Sequence, residues 1–172
     1  LLTGLYQPQE GELLLDHKPL NDALIPAYRQ RFSAVFTDFH QFTDLVGPEG
    51  GQADPALVEV WLDYLAMRDK LMFEGQRVTN PELSQGQRKR LALLMAIAEE
   101  RDLLLLDEPT NNLDPASREQ VLDALRSYVG AVVLVTHDPG AAEALDPQRV
   151  VLLPDGTEDF WSEQYRDLIE LA

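Results

Sequence analysis

The hydrophobic positions of this chain change rhythm several times, and the changes mark its elements. Leu57, Val58, Trp61, Leu62 and Leu65 recur at helical spacing behind Asp54-Pro55, an N-cap residue followed by proline at the first helical position. Leu91, Leu94, Met95 and Ala98 repeat that spacing, and Ser84 with Gln87 before them spells a capping box, so a helix is expected to about Glu99. Leu103 to Leu106 are apolar without alternation, as in a strand buried on both faces. Asp114-Pro115 opens the next helix, with Gly130 as its C-terminal glycine; Ala131 to Thr136 form a second buried strand. Asp138-Pro139 caps a short helix, Val150 to Leu153 make a further strand, Pro154-Asp155-Gly156 a turn, and a last helix starts near Ser162. Upstream, residues 1–5 read as the tail of a helix, Glu12 to Leu15 as a short strand closed by Asp16 to Pro19, and Phe32 to Phe36 as another strand.

Strand, helix, strand, helix, strand after residue 100 predicts crossover connections and a mostly parallel sheet. The expected fold class is α/β, with a helical insert over 43–82 that joins the capped helix into a block of about 43–100. Residues 1–42 and 101–172 then form the α/β core. Ligands of such sheets bind beyond the carboxyl ends of the strands. Asp107-Glu108 and His137 each directly follow a strand, so they should share one rim.

Composition narrows the class. The apolar share is 45% of 172 residues, a globular composition sufficient for one domain with its own core. A net charge of -16 repels nucleic-acid phosphates. Its one basic run, Arg88-Lys89-Arg90, is too short for a nucleic-acid patch and reads as a solvated helix face. There is no cysteine, hence no disulfide frame or thiolate metal site. No apolar run approaches the roughly 20 residues of a membrane span. The chain opens on Leu1-Leu2, in mid-pattern, and reads as a fragment of something longer.

Four features fall at or near the expected rim. Ser84-Gln85-Gly86-Gln87 places a serine cap and a glycine at a helix start, where free N–H groups and the positive dipole end can meet an anion; an ordinary capped helix fits the same residues. Asp107-Glu108 puts adjacent carboxylates at the end of a buried strand. Asp107 can hold Mg²⁺ directly or through its water shell, and Glu108 can polarise a water that attacks a γ-phosphate; solvated acids at a strand boundary are the plainer account. Pro109 to Asp114 is a turn and an N-cap. His137 can bond a phosphate and hold an attacking water, or can simply be structural.

In order and spacing the four together resemble the ATP-binding cassette (ABC) ATPases: signature motif, Walker B strand, D-loop and histidine switch. The resemblance implies a P-loop NTPase-like sheet with an inserted helical subdomain, ATP and Mg²⁺ as cofactors, and a second cassette as head-to-tail partner. It implies that Ser84, Gln85, Gly86 and Gln87 address nucleotide held on the partner, that Asp114 crosses the dimer interface, that Asp107 belongs to the Mg²⁺ site, that Glu108 is the general base and that His137 is the switch.

The sequence departs from the family pattern in three places. No Gly-x-x-x-x-Gly-Lys-Ser/Thr occurs in it. Leu1 to Gly11 resemble the segment that comes after that loop in the family, so the expectation is an N-terminally truncated cassette that binds ATP poorly alone. Thr37 stands where the family has the Q-loop glutamine; Asp38 and Gln41 are nearby substitutes. The front part, with FSAVFTDFHQF and LSQGQRKRLALL, resembles cyclic-peptide and siderophore-peptide exporters, which implies a transmembrane domain as partner and a place at the inner face of the plasma membrane. The back part, from DEPTNNLDPASREQ to PDGTEDFW, resembles the F subfamily of translation factors, which implies the ribosome. A third reading is a truncated or recombined cassette without autonomous ATPase activity.

Overall fold

The computed structural model describes residues 2–6, 8–37, 40, 42–79 and 82–170. Asp38 and Gln41, the proposed substitutes near Thr37, lie outside the described residues. In chain order the elements are β1 (Leu14–Leu15), β2 (Lys18–Pro19), α1 (Ile25–Arg29), β3 (Phe32–Val35), α2 (Pro55–Tyr64), β4 (Phe73–Glu74), β5 (Arg77–Val78), α3 (Gln85–Ala98), β6 (Leu103–Asp107), α4 (Pro115–Ser127), β7 (Ala131–Val135), α5 (Pro139–Leu145), β8 (Arg149–Leu152), β9 (Thr157–Phe160) and α6 (Glu163–Glu170).

Among the described residues the central sheet is three-stranded and fully parallel, in the order β3-β6-β7. Phe32 pairs with Leu103 at one end and Asp107 with Val135 at the other. β6 sits in the middle, which is why its leucines are apolar on both faces: Leu104, Leu105 and Leu106 are all buried. β3 alternates instead, with Ser33 and Val35 buried; the Ser33 hydroxyl is satisfied by Glu99 Oε2 at 2.9 Å, at the C-cap of α3. The core lies between this sheet and α2, α3 and α4, built from Trp61, Leu62, Leu65, Leu91, Leu94, Val121, Leu122 and Leu125.

The helix starts obey the sequence signals. Asp54 accepts from the Ala56 N–H at 2.9 Å, Asp114 from Ser117 at 3.0 Å and Asp138 from Gly140 at 2.9 Å, each with proline in the first turn. At α3 the capping box is complete: Ser84 Oγ accepts from the Gln87 N–H at 3.2 Å, and Gln87 Oε1 from the Ser84 N–H at 2.9 Å.

Several expectations are corrected. Residues 2–6 form turns and bends, not a helix tail; Gly4 takes φ +69°, and Tyr28 and Arg29 donate to the carbonyls of Leu2 and Gly4. Asp16 and His17 both have positive φ, so β1 turns straight back into β2 as a tight hairpin rather than simply closing. The segment 43–82 is not helical throughout: among its described residues α2 is the one α-helix, a 3-10 turn covers Pro48–Gly50, and a β4–β5 hairpin turns near Gly75. Gly130 does not cap α4, which ends in extended Tyr128 before the chain enters β7. The strand at 150–153 does not join the parallel sheet. β8 pairs antiparallel with β9, because the turn at 154–156 folds the chain back on itself and Val151 stays exposed.

Candidate functional site

Asp107 is the last residue of β6, and Glu108 leaves the strand in the left-handed region at φ +50°. Three backbone contacts hold that unusual turn. The Glu108 N–H donates to Val135 O on β7 at 2.8 Å; its carbonyl accepts from Asn111 N–H at 3.2 Å and from Lys89 Nζ at 2.6 Å. A non-glycine residue in this region costs energy and persists because these neighbours hold it there.

The side chains converge. Glu108 Oε1 lies 2.7 Å from His137 Nδ1, which comes off the end of the adjacent strand. Glu108 Oε2 is buried and has no protein partner. One oxygen is therefore anchored and the other is left to accept a proton or hydrogen bond. Asp107 Oδ2 accepts from the Thr37 hydroxyl at 3.1 Å and from the Thr37 N–H at 3.4 Å, so the residue standing at the Q-loop glutamine position touches the Mg²⁺ candidate directly. Carboxylate and hydroxyl oxygens suit Mg²⁺, which is usually held by one or two carboxylates together with substrate phosphates and water.

The expected solvated face at residues 88–90 is overturned. Lys89 is 5% exposed and Arg90 6%; Arg88 alone faces solvent. Lys89 donates to the carbonyls of Glu108 and Asn111, at 2.6 and 3.3 Å. Burial lowers its pKa, and the charges of Glu108 and Asp107 oppose that shift. Arg90 donates to the carbonyls of Gly86 and Leu65 and to Gln120, joining α3, the end of α2 and α4. Burial lowers its pKa too, with Asp114 opposing the shift. The three-residue run was too short to show which side chains turn inward.

Ser84, Gln85, Gly86, Gln87 and Asp114 form a second group. Ser84 and Gln85 are exposed, whereas Gly86 is buried against α4: a Cβ there would lie 2.2 Å from Ser117 Oγ and 2.7 Å from Ser117 Cβ. Gly86 is thus required by close helix–helix approach, whatever else its N–H does. Asp114 caps α4, and hydrogen bonds from the Ser117 side chain and backbone hold its carboxyl below the usual range. Among the described residues Ser84, Gln85 and Gln87 make no bond to Asp107, Glu108 or His137; Lys89 is the side chain of α3 that reaches the acid turn. The sequence reading missed Lys89, Thr110, Arg118 and the wider role of Asp138. Their bonds join residues 19 to 28 positions apart, and no local pattern announces them.

Solved structures share this architecture. A bacterial Atm1-family ABC exporter with ATP bound superposes with a TM-score of 0.74 at 20% identity, over 96% of this chain and 32% of that one. The ATP-binding cassette MJ0796, a dimer in a post-hydrolysis state bound to ADP and Pi, gives 0.63 at 26% identity, over 92% of this chain and 76% of that one. The class is therefore an α/β domain of P-loop NTPase-like fold. The profile of the ABC transporter family matches residues 1–111, and this chain belongs to that family. It is 40% identical over 164 residues to the ATP-binding protein SyrD of Pseudomonas syringae pv. syringae, a match that covers 91% of this chain and spans 28% of SyrD. Among the described residues no helix is long and apolar enough to cross a membrane.

Proposed function

We propose that this chain is the part of an ABC exporter's nucleotide-binding domain that supplies the catalytic base, the switch histidine and the signature helix. The reading rests on the 2.7 Å Glu108–His137 contact beside Asp107, with Glu108 Oε2 left unpartnered. Glu108 takes the proton of the water that attacks the γ-phosphate, and its anchored Oε1 keeps Oε2 aimed. His137 donates from Nδ1 to that carboxylate, which fixes the tautomer; its Nε2 is an acceptor in the neutral ring and a donor in the protonated one. Asp107 belongs to the Mg²⁺ site, where the cation supplies charge neutralisation for the phosphate oxygens, and Thr37 orients Asp107. Ser84, Gln85, Gly86 and Gln87 present the start of α3 to nucleotide on a second cassette, and Asp114 lies near that face. A second cassette as head-to-tail partner is supported by a dimeric cassette among the structural neighbours.

A membrane-spanning partner is part of this reading, and it places the chain at the inner face of a membrane. An apolar hollow of about 310 Å³ beside β3 and α3, lined by Phe36, Phe42, Leu91 and Met95, supports it, as does the exporter among the neighbours. Peptide or siderophore cargo rests on the resemblance of the front part alone. Helical subdomain boundaries near 43–100 are proposed on the same footing.

The test is phosphate release from ATP by this chain joined to the P-loop segment that its sequence lacks. The wild type should hydrolyse ATP in the presence of Mg²⁺, and Glu108→Gln should not; turnover surviving in that variant would remove Glu108 as the base.

A further inference from the structure

Glu108 and His137 come from different loops, the turn after β6 and the turn after β7. Their side-chain contact is one tie between those loops. A second lies two residues further along one and one residue further along the other. Thr110 Oγ1 donates to Asp138 Oδ2 at 2.7 Å, and Thr110 is buried, so solvent does not compete for that bond. The same carboxylate receives the guanidinium of Arg118 from α4 as a fork, Nε to Oδ2 at 2.9 Å and Nη2 to Oδ1 at 2.6 Å. The Gly140 N–H completes the set at 2.9 Å, and the Asp138 N–H donates to Thr136 Oγ1 at 3.0 Å across His137.

Capping α5 would use one oxygen and one N–H. Here a single carboxylate gathers the acid turn, α4 and the start of α5, and it does so next to the histidine. We propose that Thr110, Asp138 and Arg118 form a clamp that positions the Glu108–His137 pair for ATP hydrolysis. The proposal rests on the reading of Glu108 as general base. None of the three side chains touches the reacting atoms, so they are positioning residues. Glu108 sits in a left-handed conformation that the chain would leave if its loop were released. The clamp fixes that loop from the far side of Thr110, while His137 fixes the carboxylate itself.

The experiment is steady-state ATP hydrolysis by this chain joined to the P-loop segment that its sequence lacks, with kcat and KM for ATP measured separately. Thr110→Val keeps the side-chain shape and removes the hydroxyl; Thr110→Ser keeps the hydroxyl. The expected result is a fall in kcat of about tenfold for Thr110→Val with KM within about twofold of wild type, and near-wild-type kcat for Thr110→Ser, since small displacements of a catalytic group act on the chemical step. Arg118→Gln, which opens the fork from the solvent side, should lower kcat in the same sense. If Thr110→Val does not fold, as judged by its melting curve, Arg118→Gln decides on the same criterion. Wild-type kcat in folded Thr110→Val, a KM that rises in proportion to the loss, or a serine variant as impaired as the valine one overturns the clamp. A Glu108→Gln protein that is dead beside an unaffected Thr110→Val sinks the clamp alone. A wild-type protein that hydrolyses no ATP, or an active Glu108→Gln, sinks the reading beneath it and the clamp with it.

Discussion

At the ends of β6 and β7 each candidate side chain is tied to another element. Thr37 holds Asp107, His137 holds Glu108, and Lys89 reaches in from α3. At the start of α3 the side-chain bonds, among the described residues, stay within one turn: Ser84 and Gln87 cap each other, and Gln85 is exposed. The first region is organised within one chain before anything binds, as pre-positioned catalytic groups must be. The second presents the positive dipole end of α3 at exposed Ser84 and Gln85, with the Gln87 N–H already taken up by its cap. The difference is between side chains bonded across elements and side chains bonded within a single turn.

The sharpest way to break this comparison is to injure each region and ask what is lost. Glu108→Gln should lower ATP turnover by at least about a hundredfold, the scale of a lost general base, and leave ATP-dependent association intact by light scattering. If association disappeared as well, the two regions would not be separable. Ser84→Arg should do the reverse first: ATP-dependent dimer is lost because a long cation fills the face of α3, while the melting temperature in the absence of nucleotide changes little. An unchanged dimer population in ATP would remove the signature assignment.

Gly86→Ala sharpens the structural side of the same region. The added methyl meets both Cβ and Oγ of Ser117, so rotating the hydroxyl away does not relieve it. Overpacking of this kind costs about 1–3 kcal/mol, readable in denaturant melts, and Ser117→Gly in the same chain should restore part of the loss. No rescue would mean that the two helices do not meet this closely.

The smallest effect concerns pH. Burial alone would raise the Asp138 pKa, but hydrogen bonds from Arg118 and Thr110 outweigh it and bring it from 3.8 down to about 2. A carboxyl depressed on folding contributes stability that is fully present above its unfolded pKa and is lost as pH falls through the folded one. The difference in melting temperature between wild type and Asp138→Asn should therefore shrink as pH drops from about 4 towards 2. A constant difference across that range would show that Asp138 is not held as an ion pair.

Some of this was legible in the residues themselves. Cap chemistry is local: Asp54, Ser84, Asp114 and Asp138 each precede their helix, because the side chain that satisfies a first-turn N–H has to come from the residue before it. The buried strand at Leu103 to Leu106 was equally plain, being apolar without alternation, and the structure extends it by one residue to Asp107. Asp107, Glu108 and His137 could be assigned to one rim for the same reason, strand ends in a parallel sheet being neighbours.

What the sequence by itself determined, then, is whatever depends on contacts a few residues apart: helix starts, strand burial, and the order of motifs that carries the family. The tertiary structure alone decided which charges are buried. Arg88-Lys89-Arg90 is one run in the sequence, yet Lys89 and Arg90 turn inward to meet carbonyls from other elements. It also decided that β8 leaves the sheet for β9, that Gly86 is pressed against Ser117, and that one aspartate beside His137 gathers Thr110 and Arg118. A buried polar group must find its partner wherever the packed chain brings one, and that place is fixed by the fold as a whole rather than by the residues on either side.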